Sequence, residues 1–185
     1  MPEGTEIVYR DHAANLLNFA VQLVPGVMFL HERGIAHLDI KKENLVVSRT
    51  GKLSIIDFSI SQFVESNTSL TGFWGTRGCV APEIEKGKPF SPFLADSWAC
   101  GRILKDMAHA CSGWQHVQAI ELAAEYLTRS NPLMRPPLRL VLSILDLHQL
   151  TAAYHVDSKF LNPRKRKFHM SQDYADYCRP SEITV

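Results

Sequence analysis

Two short runs of strand-forming residues, Leu45-Val46-Val47-Ser48 and Leu53-Ser54-Ile55-Ile56, are separated by Arg49-Thr50-Gly51-Lys52. β-Branched residues around a four-residue turn that contains glycine predict an antiparallel hairpin. With those four residues as the turn, Ser48 faces Leu53 and Leu45 faces Ile56, and one further step puts Asn44 beside Asp57. An amide and a carboxylate then converge at the open end of a ribbon, where the strands run out into loops. Such oxygen ligands suit Mg²⁺, which takes few protein ligands and completes its shell with water and phosphate. Asp39, upstream of Asn44, reaches the same opening, and Lys41 between them adds positive charge.

Helical patterning surrounds this ribbon. Over residues 13–32, Leu16, Leu17, Ala20, Leu23, Val24, Val27, Met28 and Leu30 recur at helical spacing; closure is expected at Gly34, with a kink or tighter turn at Pro25. The stretch 37–44 reads as a loop, and residues 59–81 lose periodicity as a long ordered loop does. Further helices are predicted over 95–110, 117–128 and 138–150. The expected organisation is one domain over residues 1–150 and a polar, basic tail over 151–185. No internal repeat is visible.

Composition narrows the function classes. Hydrophobic residues at 45% and charged residues at 21% allow a sizeable core, while a formal charge of +1 gives nucleic-acid binding no support. Cys79, Cys100, Cys111 and Cys178 show neither CxxC nor Cys/His ligand spacing, which argues against a zinc site or disulfide framework and for a reducing compartment. The N-terminus lacks the charged and apolar regions of a signal peptide, and the apolar stretch over 16–30 is too short and polar for a membrane span. A soluble, cytoplasmic protein is expected, with a nuclear location if Arg164-Lys165-Arg166-Lys167 acts as a localisation signal rather than a solvated tail.

The segment His37-Leu38-Asp39-Ile40-Lys41-Lys42-Glu43-Asn44 resembles the catalytic loop of eukaryotic protein kinases, and Asp57-Phe58-Ser59 resembles their metal-binding motif. Ala81-Pro82-Glu83 is similar to the motif that closes their activation segment. Asp96-Ser97-Trp98-Ala99-Cys100-Gly101 is similar to a helix of the C-terminal lobe, and Arg135 to the late arginine that pairs with the glutamate. The motifs stand in the family's order over residues 13–150. The resemblance implies an α+β fold: a protein-kinase-like C-lobe, mainly α-helical, with a small β-hairpin carrying the catalytic and metal-binding loops. It implies that Asp39 accepts or orients a substrate hydroxyl proton, that Lys41 steadies the γ-phosphate, and that Asn44 and Asp57 hold Mg²⁺ with ATP. Lys41 two residues after Asp39, and Thr76 seven before Glu83, resemble the serine/threonine class, so the implied partner is a protein substrate with a Ser or Thr hydroxyl.

Several positions depart from the pattern. None of the first 40 residues is lysine, and Gly4, Gly26 and Gly34 are isolated. The glycine-rich loop and strand lysine of the N-lobe are therefore missing, and negligible activity is expected of the isolated chain, since one preorganised contact alone supplies roughly a hundred- to a thousandfold in rate. Leu38 replaces an arginine that normally answers activation-loop phosphorylation, which argues against such control through Ser66, Thr68, Ser69 or Thr71. Ser59 replaces a glycine, restricting the backbone beside Asp57. The stretch between Gly101 and Asn131 is short, so a substrate-docking helix there is expected to be reduced.

Other motif residues read as architecture. His37 is expected to brace the loop through its ring nitrogens, Asp96 to anchor the loop backbone, and Glu83 and Arg135 to form a buried ion pair, with Trp98 and Trp114 as core aromatics. Two functions follow: part of an ATP-dependent enzyme whose N-lobe comes from upstream sequence, or a pseudokinase-like binding module or non-functional remnant. A lone C-lobe is expected to expose the apolar surface around Leu45 and Ile56, a place for a protein partner.

Overall fold

A computed structural model describes residues 13–65, 67–110 and 117–153. Ser66, Cys111, Trp114, Cys178 and the basic run at 164–167 lie outside the described residues, as does most of the 151–185 tail.

Helix α1 (Ala13–His31) forms because Leu16, Ala20, Leu23, Val24 and Val27 fall on one face, and all five are buried. It ends before Gly34, whose N–H donates to the His31 carbonyl. The helix is continuous through Pro25, where a kink or tighter turn was expected. Proline forfeits one backbone bond, and the buried residues on either side hold the turn.

After strand β1 (Ile35–Ala36) and the segment 37–44 come β2 (Leu45–Val47) and β3 (Leu53–Ile55), the predicted hairpin. Its register differs from the expected one by a residue. Leu45 pairs with Ile55, Val46 with Ser54 and Val47 with Leu53. The turn is shorter than predicted: Ser48 N–H donates to Lys52 O and Gly51 N–H to Ser48 O, with Gly51 at φ +78°, the left-handed backbone that glycine adopts freely. Side chains alternate faces along a strand, so this slip changes which of them are covered. Leu45 and Ile55 share the face toward α1, where a Cβ on Gly26 would sit 3.3 Å from Ile55 Cδ1. Leu45 is 2% exposed, so the expected exposed apolar surface does not include it; Ile56 is exposed at 41%, and so is Phe58 at 45%.

Strand β4 (Gln62–Phe63) pairs antiparallel with β1, a contact hidden inside what the sequence presents as an irregular loop. A short helix α2 (Pro82–Glu85) precedes α3 (Pro92–Ala110), which is buried on nearly every side and forms the centre of the molecule. Helix α4 (Val117–Leu127) packs on α3 so closely that a Cβ on Gly101 would lie 2.5 Å from Leu127 Cβ. Helix α5 (Leu138–Ala153) packs on α1 and α4. Trp98 joins the core, with Arg102 over its ring at 5.3 Å. The architecture is mainly helical with two small antiparallel ribbons. Among the described residues no helix is long and apolar enough to cross a membrane.

Candidate active site

The loop between β1 and β2 is pinned from beneath before it presents any chemistry. Asp96, on the buried side of α3, accepts from the His37 amide at 2.7 Å and the Leu38 amide at 2.8 Å. The His37 ring lies fully buried; its Nδ1 accepts the Asp39 amide at 3.3 Å, which leaves Nε2 to donate to Ile56 O at 3.1 Å. His37 thus ties the 37–44 loop to the strand end that leads into Asp57. Its ring also tilts against Phe58, 4.9 Å away.

Above this brace, Asp39 is held by three side chains. Thr76 Oγ1 donates to Asp39 Oδ1 at 2.7 Å and accepts from Lys41 Nζ at 2.7 Å. Lys41 Nζ also meets Asp39 Oδ2 at 2.7 Å, and the Asn44 amide donates to Asp39 O at 2.9 Å and Oδ2 at 3.2 Å. Partial burial pushes the Asp39 carboxyl upward, but the bonds from Lys41 and Thr76, the lysine charge and Asn44 outweigh it and hold the group below its ordinary value. The bond to Asp39 in turn raises Lys41. The result is an ionised carboxylate in a fixed orientation.

Gly75 lets the two segments meet. A Cβ there would lie 2.7 Å from both Leu38 O and Val80 Cγ1, and its φ is +104°. This close approach delivers the neighbouring Thr76 to Asp39. Leu38 also has a left-handed backbone, at φ +66°, with its side chain buried.

Asn44 and Asp57 do not face each other across the ribbon as expected; Asn44 O accepts from Ile56 N–H at 2.9 Å. Asp57 follows at φ +63°, exposed, with its Oδ1 accepting from Ser59 N–H at 3.3 Å. Hydrogen bonds from Ser59, side chain then backbone, hold the Asp57 carboxyl below its ordinary value. Asn44 is buried and turns its amide nitrogen inward, so its oxygen is the atom left for a ligand. One amide oxygen and one carboxylate are a hard-oxygen donor set that fits Mg²⁺ carrying phosphate and water. Among the described residues no cluster of three or more His, Cys, Asp or Glu could form an all-protein cage.

The remaining motif residues meet as an internal clamp. Arg135 Nη1 and Nη2 bond Glu83 Oε1 and Oε2 at 2.6 and 2.8 Å, while Nη1 reaches Leu94 O and Nε reaches Arg129 O, each at 2.9 Å. Two contributors escaped sequence reading. Gln22 on α1 accepts from Leu53 N–H at 2.9 Å and donates to Gly51 O at 3.1 Å, fastening the hairpin; a lone amide inside an apolar helix face was its only signal. His31 bonds Asp96 Oδ2 at 3.0 Å and carried no signal.

The sequence model described as "Protein kinase domain" matches residues 6–161, well over half of the chain. The chain belongs to the protein kinase domain family, and the resemblance read from its motifs is borne out at that level. Its relatives include serine/threonine kinases. CBL-interacting serine/threonine-protein kinase 8 of Arabidopsis thaliana is 42% identical over 84 residues, 45% of this chain and 19% of that protein. CBL-interacting protein kinase 8 of Oryza sativa subsp. japonica is 38% identical over 96 residues, 51% of this chain and 22% of that protein. Serine/threonine-protein kinase HAL5 of Candida glabrata is 36% identical over 103 residues, 52% of this chain and 13% of that protein. The matches thus span about a fifth of these relatives' lengths or less.

Proposed function

We propose that this chain carries the C-lobe half of a Mg²⁺-ATP phosphotransfer site directed at Ser or Thr hydroxyls of a protein substrate. The domain covers residues 1–150, with 151–185 as its tail. The observation that carries this reading is the closed Asp39–Lys41–Thr76 triangle, in which every contact is 2.7 Å. In the reaction, the substrate hydroxyl oxygen bonds the γ-phosphorus as the bond to the bridging oxygen of ADP breaks. Asp39, held ionised, orients that hydroxyl and takes its proton late, since a depressed carboxylate is a weak base early in the reaction. Lys41 steadies the γ-phosphate, and Asn44 and Asp57 hold magnesium, which when bound neutralises phosphate charge. His37, Asp96, Glu83 and Arg135 support the loops.

No lysine occurs in the first 40 residues, so this chain alone supplies only part of the phosphate grip, and its own phosphotransfer is negligible. Exposed Ile56 and Phe58 favour a second role, a surface for a protein partner beside the site. The deciding experiment is ATP binding to the 185-residue chain with and without Mg²⁺, and with Asp57→Asn. Magnesium-dependent binding abolished by the substitution is the expected result. No binding at millimolar nucleotide would overturn the nucleotide-site reading and leave the partner surface as the function to pursue.

A further inference from the structure

Two phenylalanines stand in water where α1 gives way to the β1–β4 ribbon. Phe29, on α1, is 52% exposed, and Phe63, on β4, is 83% exposed, the most open large apolar side chain among the described residues. Arg33 belongs to the same face: its guanidinium lies 3.4 Å from the centre of the Phe29 ring, and its Nη1 donates to Phe29 O at 3.1 Å. One residue on, Gly34 O accepts from Val64 N–H at 2.7 Å, and Ile35 pairs with Phe63. The ribbon therefore brings Phe63 to the stretch of chain that carries Arg33. Paired residues point to one side of a ribbon, so the Phe63 ring stands with half-buried Ile35 and away from buried Ala36.

Single exposed apolar residues are ordinary, but two phenylalanines around one arginine make a surface of the kind that protein segments cover. Among the described residues Arg33 pairs with no carboxylate, while its neighbour Glu32 is offset by Arg139 at 3.8 Å. The segment Asp173-Tyr174-Ala175-Asp176-Tyr177 holds the complementary chemistry, two aspartate–tyrosine pairs three positions apart. Tyrosine brings aromatic area with a hydroxyl that stays in water, and aspartate brings the carboxylate that Arg33 lacks. The length of chain also fits. Arg139 meets Glu32, so α5 starts near this face and ends about 21 Å further along, at a rise of ~1.5 Å per residue to Ala153. From Ala153 to Asp173 the chain spans up to about 66 Å when extended, ample to return along α5.

We infer that the face formed by Phe29, Arg33 and Phe63 is a docking site for the chain's own segment 173–177, its aspartates pairing with Arg33 and its tyrosines covering the phenylalanines. Because this ligand is tethered, a contact too weak to hold a separate partner suffices to hold it. The docking uses neither Asp39 nor the magnesium donors, so it stands or falls apart from the nucleotide site.

The experiment puts the photo-cross-linking amino acid p-benzoylphenylalanine in place of Phe63 in the 185-residue chain, a change that 83% exposure accommodates. Irradiation and peptide mass mapping are expected to join position 63 to the peptide containing 173–177 within single chains, with a yield independent of protein concentration. Arg33→Glu, or Asp173→Lys together with Asp176→Lys, should each lower that yield about two- to fivefold, and the two charge reversals combined should restore it. Circular dichroism of each variant checks that the fold is kept, as the exposure of Arg33 leads one to expect. Cross-links between chains, capture of another segment, no capture of the tail, or a yield indifferent to both charge reversals would overturn the inference.

Discussion

Replacing Glu83 with alanine should cost this domain a large part of its stability. Arg135 is fully enclosed at 0% side-chain exposure, and Glu83 at 6% supplies both oxygens of a bidentate pair. Removing the carboxylate leaves a guanidinium whose charge is out of water. Its bonds to Leu94 O and Arg129 O persist, but the two charge-assisted bonds to the carboxylate are lost. Breaking a buried pair from one side costs about 3–5 kcal/mol, against a total of about 5–15 kcal/mol for an ordinary domain. With a urea slope of about 2 kcal/mol per molar, the unfolding midpoint of Glu83→Ala should fall by roughly 1.5–2.5 M. A built-in control is Glu32, whose contact with Arg139 is 3.8 Å long with both side chains mostly exposed. Glu32→Ala should shift stability by less than about 0.5 kcal/mol. Urea titrations followed by circular dichroism, repeated at about 1 M salt, would test both, since screening reaches the surface pair and not the buried one. A Glu83→Ala loss below about 1 kcal/mol, or one that disappears in salt, would refute the reasoning from burial.

Three other outcomes are expected. The ordinary Asp39 value of 3.8 is lowered in the fold, so this group's contribution to stability is fully present above that pH and lost as pH falls through the folded value; Asp39→Asn should therefore flatten the acid limb of a stability-versus-pH curve below about pH 4. An unchanged acid limb would mean the Lys41 and Thr76 contacts do not persist in solution. Gly75→Ala, which forces a Cβ to 2.7 Å from Leu38 O at φ +104°, should separate Thr76 from Asp39, seen as an altered Thr76 environment by NMR with α4 unperturbed. Burial pushes the Cys100 thiol up to about 12, so at pH 8 a thiol reagent should label half-buried Cys79 well before Cys100 in native protein, as read by peptide mass mapping. Equal labelling would indicate that α3 opens readily.

The clamp and the brace illustrate how differently parts of this molecule could be read beforehand. Asp96, Glu83 and Arg135 were legible because their roles follow from motif order, and each finds the partner type expected of it. The hairpin was legible as an element but not in register. Local propensity identifies two strands, whereas a one-residue difference in turn length decides which face each side chain takes. Leu45 went to the core and Ile56 to the surface because Ile55 packs against Gly26 of α1, a contact between distant parts of the chain. The β1–β4 pairing left no local pattern, since two residues per strand are too few to alternate.

By itself, then, the amino-acid sequence determined the family, the order of helices and the chemical types gathered near Asp39, because periodicity and motif spacing are local properties. Tertiary structure alone decided that Thr76 closes on Asp39 and Lys41, that Gln22 fastens the hairpin, and that His31 meets Asp96. Each of these joins residues 29 or more positions apart. Their meeting depends on how α1, α3 and the ribbons pack, and hydrogen bonds of that reach exist only after packing has excluded water and brought donor to acceptor.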